Sequence, residues 1–70
     1  MTDLPVWVVY DHPSDCPDYY VARLWQGETA TGVAIIDRDL ERLRDTLEEM
    51  GLVHLDRMEG DDPVILETWL

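Results

Sequence analysis

The sequence predicts an α+β domain: one helix packed on one face of a mostly antiparallel sheet of four to five strands, in the order β-β-β-α-β-β. Three observations carry this. Residues 37–52 have helical periodicity, with Leu40, Leu43, Leu47 and Met50 on a single apolar stripe. Short β-branched and aromatic runs stand on both sides of that segment, bounded by Gly, Pro and Asp clusters. Finally, 70 residues with 46% apolar side chains suffice for one folded core, so a single domain spans residues 1–70.

Residues 1–4 read as a lead-in. The first strand is residues 6–10 (VWVVY). Its apolar residues do not alternate with polar ones, as in a strand covered on both faces, so a central place in the sheet is expected. Residues 11–18 (DHPSDCPD) form a loop, because prolines and aspartates break any period. Residues 19–26 return to strand character, with Tyr19, Val21, Arg23 and Trp25 on one face and Tyr20, Ala22 and Leu24 on the other. The two strands are expected to pair as a hairpin around the acidic loop, with Arg23 meeting a carboxylate across the sheet.

Gln26-Gly27-Glu28 is a turn signal, and residues 31–36 form a third, weaker strand that feeds the helix. Asp37 or Asp39 can accept a free backbone N–H at the helix start. Gly51 suits the left-handed residue past the helix end, and Leu52 then folds back on Leu47 in a Schellman motif. Residues 52–56 alternate as a fourth strand, 58–63 (MEGDDP) form a turn, and 64–70 (VILETWL) are the last strand. With no Phe in the chain, Trp7, Trp25 and Trp69 supply core bulk, and one of the three is expected to be partly exposed.

Charge is the property that most restricts function. Sixteen Asp and Glu face five Arg, with no Lys, for a formal charge of −11. Solubility alone asks for a magnitude of ~2–8 in a small domain. Such a field repels nucleic acid and anionic membranes and attracts basic surfaces, so the expected partner is a basic protein surface. It also strains the fold, so added salt should stabilise it. The one cysteine cannot close an internal disulfide, which fits a reducing compartment. No basic-then-apolar leader opens the sequence, and no apolar run approaches the ~20 residues that span a bilayer. A cytoplasmic monomer is expected.

The outward helix face concentrates the charge. Asp37, Glu41, Asp45 and Glu49 form an i, i+4 ladder of like charges, each rung costing roughly 0.2–0.5 kcal/mol in an isolated helix. Arg38, Arg42 and Arg44 soften it, for example by Arg44 pairing with Glu48. Rungs of the ladder lie ~6 Å apart along the axis, whereas one DNA strand carries a phosphate every ~3.4 Å. Phosphate mimicry therefore needs Glu48 and loop acids as well. Asp11, Asp15 and Asp18 make one further cluster, and Glu59, Asp61 and Asp62 another. These eleven acids are the candidate partner-binding residues. The other reading of the same face is a solvated surface that keeps a small protein soluble.

Catalytic and metal chemistry find little purchase. Asp11, His12, Asp15 and Cys16 are metal-binding types, but their spacing matches no zinc pattern. Asp11 and Asp15 instead suit turn caps. Cys16 with His12 or His54 lacks a visible orienting group or oxyanion site. His54 reads as a packed or edge histidine within the fourth strand. No catalytic residue, metal or cofactor is expected.

Two stretches, residues 8–23 (VVYDHPSDCPDYYVAR) and 60–70 (GDDPVILETWL), resemble short acidic proteins of bacterial, phage and mobile-element genomes. In size, acidity and α/β character the chain is also similar to the small anti-CRISPR proteins, within them to inhibitors of type I systems of the type I-C kind. Several anti-CRISPRs act as DNA mimics. That group shares no common motif, so the resemblance assigns no residue. It implies an inhibitor that works in a host bacterial cell by blocking target DNA binding by a CRISPR interference complex. The alternative is a small acidic interaction module with a basic partner unrelated to CRISPR.

Overall fold

The apolar run of residues 6–10 becomes the middle of a five-stranded sheet. In the computed structural model, which describes residues 4–56 and 64–70, β1 (Pro5–Asp11) pairs antiparallel with β2 (Tyr20–Gln26) and with β5 (Ile65–Trp69). β3 (Thr29–Asp37) adds to the free side of β2, and β4 (His54–Asp56) to the free side of β5. The sheet order is β3-β2-β1-β5-β4, with every pairing antiparallel. The expected element order, the central first strand and the β1–β2 hairpin are all present. The expected turn at 58–63 lies outside the described residues. Among the described residues, no helix is long and apolar enough to cross a membrane.

The third strand is a correction. Read from the sequence as a weaker strand over residues 31–36, it spans Thr29–Asp37 and at 9 residues is the longest among the described residues. Gly27 adopts φ +62, so Gly27-Glu28 closes a tight turn and the return strand begins at Thr29. β3 also takes up extra length in a bulge, since its register moves from Arg23↔Ala34 to Trp25↔Ala30. Thr31 fills the irregularity. Its hydroxyl donates to the Leu24 carbonyl at 2.8 Å and accepts the Val33 N–H at 3.1 Å. The fourth strand is shorter than expected, although Val53 and Leu70 exchange backbone bonds of 2.8 and 3.1 Å just outside it.

α1 (Leu40–Glu49) is capped by Asp39, whose Oδ1 accepts the Glu41 N–H at 2.9 Å. Asp37 therefore lies outside the helix, at the end of β3. The other end is the expected Schellman motif. Gly51 has φ +82, its N–H donates to Glu48 O at 2.9 Å, and the Leu52 N–H donates to Leu47 O at 3.3 Å. Met50 does not join the apolar stripe. It is the C-cap and 48% exposed, while Leu52, folded back by the turn, packs on the core in its stead.

α1 connects the two opposite edges of the sheet. Its ~15 Å length crosses a sheet about 19 Å wide. Leu43 and Leu47 are fully buried against Trp7, Val9, Ala22 and Trp69, with Tyr20, Leu24, Ile35 and Leu40 around them. Trp25 is the partly exposed tryptophan.

Candidate functional site

The surface of interest is the side of α1 turned away from that core. At ~100° per residue, Glu41, Asp45, Glu48 and Glu49 fall within one arc of about 100°, roughly opposite Leu43 and Leu47. All four are exposed, and among the described residues none forms an ion pair. Their lack of ion pairs follows from where the helix arginines point, Arg44 acting on Glu41 only at longer range.

Arg42 turns back to the helix start. Its Nη2 lies 3.1 Å and its Nε 3.3 Å from Asp37 Oδ1, which also accepts the Asp39 N–H at 2.9 Å. The Asp39 N–H first, and the Arg42 guanidinium with it, hold the Asp37 carboxyl below its ordinary value against a smaller opposing effect of desolvation. Asp37 is thus paired with Arg42 ahead of the helix, bonded to the N–H of the capping residue Asp39, and not a rung of the ladder.

Arg44 does not meet Glu48. It turns inward to Glu67 on β5, Nη2 to Oε1 at 2.6 Å and Nε to Oε1 and Oε2 at 3.0 and 3.2 Å. Glu67 is 1% exposed, and its Oε2 also accepts Trp69 Nε1 at 2.7 Å. The His54 Nε2 sits 3.4 Å from Oε1, and its ring lies against Trp69 with centroids 5.2 Å apart. Burial pushes the Glu67 carboxyl up. Hydrogen bonds from Arg44 and Trp69, with the charges of Arg44 and His54, outweigh burial and hold it below its ordinary value. Pairing with Glu67 in turn raises the Arg44 pKa.

The loop acids divide differently. Asp11, Tyr20 and Asp37 are in register across β1, β2 and β3, so the acidic loop leaves the sheet at the end where α1 begins. Arg38 also donates to the Tyr19 hydroxyl there, at 3.5 Å. Asp11 and Asp15 do not cap turns with their side chains. Asp11 Oδ1 bonds His12 Nδ1, and Asp15 pairs with Arg23, which therefore finds its carboxylate in the loop and not across the sheet. Asp18 is exposed and forms no ion pair among the described residues. Glu59, Asp61 and Asp62 lie outside the described residues.

Of the eleven candidate acids, the structure groups Glu41, Asp45, Glu48 and Glu49 on one open face, with Asp18 exposed in the loop and without an ion pair among the described residues. Asp11, Asp15 and Asp37 are engaged locally. Among the described residues, no three His, Cys, Asp or Glu converge as a metal site and the surface has no cavity. The cluster that sequence reasoning missed is Arg44, Glu67, Trp69 and His54. One signal was available: Glu67 is the lone charge in residues 64–70 and shares strand parity with Trp69, so a buried partner is required.

No protein-family model, curated protein or solved structure matches this chain.

Proposed function

We propose that the protein is a non-enzymatic inhibitor whose α1 acids enter a cationic groove that otherwise holds DNA phosphates. In the form the sequence resemblance implies, the groove belongs to a type I CRISPR interference complex of the type I-C kind. The observation that supports the charge mechanism is that, among the described residues, Glu41, Asp45, Glu48 and Glu49 form no ion pair, with Arg42 and Arg44 committed to Asp37 and Glu67. The CRISPR assignment rests on the resemblance. The negative field steers encounter, and displaced counterions make binding weaken steeply with salt.

The test is capture of a purified type I-C interference complex, followed by competition with its target DNA. Excess protein should abolish DNA binding, and the Glu41→Arg/Asp45→Arg variant should not. A complex that binds target DNA equally well with the protein in excess overturns the proposal. If the reversed variant instead loses a basic partner that has no part in CRISPR interference, the same face serves the plainer interaction module.

A further inference from the structure

We propose that the outer edge of β3 accepts an extended lysine- or arginine-bearing segment of the cationic partner, adding one strand to the sheet. The inference rests on the reading above only for the partner's positive charge; the edge itself is an independent observation. β3 ends the sheet order, and among the described residues it pairs with β2 alone. Its outward N–H and C=O groups therefore face away from the sheet.

The two edges are built differently. β4 is only 3 residues long and carries His54 and Asp56, and natural edges are blunted in this way by shortness and charge. β3 is three times that length. Residues 29–36 hold no acidic or basic residue and no proline, in a chain with 30% charged residues, and they form its longest uncharged run. Val33 and Ile36 are 51% and 50% exposed. The bulge beside Thr31 interrupts the strand, but from Ala34 to Asp37 the ladder is regular, pairing in step with Arg23 back to Tyr20.

An open strand edge matches another strand, because main-chain bonds provide the attachment. Charge selects which strand. Glu28 stands exposed at one end of β3, and Asp39 and Glu41 stand exposed beyond the other. A second copy would bring another −11 charge to the same edge. A cationic strand meets Glu28 at one end and, at the other, Asp37, Asp39 and Glu41 set against Arg38 and Arg42, a net negative charge at both.

The experiment adds a short alternating Lys/Val peptide to the isotope-labelled protein and follows backbone amide shifts and hydrogen exchange. An alternating Glu/Val peptide and a Lys/Val peptide with a central proline serve as controls. The Lys/Val peptide should shift the β3 amides and slow exchange of its outward ones by about tenfold, or ~1.4 kcal/mol, and neither control should do so. Val33→Lys/Ile36→Lys, which places charge on two exposed positions, should abolish the response. A response confined to α1 or β4, or equal responses to all three peptides, overturns the inference, as does peptide-free dimerisation through β3. Asp45→Arg/Glu49→Arg, which leaves Glu28, Asp39 and Glu41 in place, separates the two proposals. Edge binding that persists while DNA competition is absent even for the unaltered protein removes the inhibitor reading and leaves the edge inference standing.

Discussion

Arg44 of α1 and Glu67 of β5 form a two-pronged ion pair beneath the helix, with Nη2 2.6 Å from Oε1 and Nε 3.0 Å from the same oxygen. The pair ties the helix to the last strand through two residues 23 positions apart in the sequence. It also turns the Arg44 guanidinium away from Glu48 and onto a buried carboxylate. A stabilising contact inside the fold and an unneutralised face outside it thus have one cause.

Breaking this pair should be costly. Removing one partner of a buried ion pair costs about 3–5 kcal/mol, against roughly 4–10 kcal/mol for a whole domain of this length. Arg44→Leu leaves a buried carboxylate held by Trp69 and, more distantly, His54. It should cost about 3 kcal/mol, the low end, because the arginine side chain is 43% exposed and water can replace part of it. Arg44→Leu/Glu67→Leu should lose less than Arg44→Leu alone. Urea unfolding midpoints measure both.

Acid should erase the contribution of Glu67. Its folded-state pKa is depressed, so its stabilisation is complete above the ordinary carboxylate value of 4.5 and is lost as pH falls through the lower folded value. The stability gap between the unaltered protein and Glu67→Gln should be full at about pH 6 and narrow progressively below about pH 4.5. Unfolding curves across that range read the gap directly. A gap that widens toward acid contradicts the assignment.

Gly51→Ala isolates a backbone effect. A Cβ at Gly51 meets nothing within 4 Å, so no clash contributes. What remains is the left-handed φ of +82. The expected loss is about 1 kcal/mol, lowering the melting temperature by roughly 4–8 °C.

The tryptophans should respond unequally to phenylalanine. Trp69 Nε1 donates to the Glu67 carboxylate, a bond to a charged group worth about 1.5–3 kcal/mol. Among the described residues Trp25 Nε1 has no hydrogen-bond partner although it is buried, so deleting it relieves a desolvation cost of about 1–3 kcal/mol. Trp25→Phe should therefore be near neutral after its lost ring area is counted, and Trp69→Phe clearly destabilising. Calorimetry of the two variants decides it.

What could be read in the sequence was local. The unbroken apolar run of β1 signalled a strand with neighbours on both sides, and Gly51-Leu52 signalled a helix stop whose bonds span only a few residues. The helix stripe was legible up to Leu47 and failed at Met50, where the chain had already begun to turn. The fate of Arg44 was not legible from helix spacing, because that rule compares only residues three or four apart and Glu67 lies far along the chain. Asp37 misled for a related reason. It fits the i, i+4 arithmetic of the acids, but β3 runs up to it and Asp39 takes the cap. The acid face survived these corrections in reduced form, from a ladder beginning at Asp37 to four carboxylates beginning at Glu41.

The strand order has a consequence for biosynthesis. Among the described residues β4 pairs only with β5, and β5 slots between it and β1. While the chain is being made, the β1–β2–β3 meander can assemble from near neighbours, but Arg44 lacks the buried Glu67 carboxylate and Trp7 has no Trp69 beside it. The nascent domain must therefore wait, with its helix unanchored at one end, until residues 65–69 have cleared the ribosome and closed the gap.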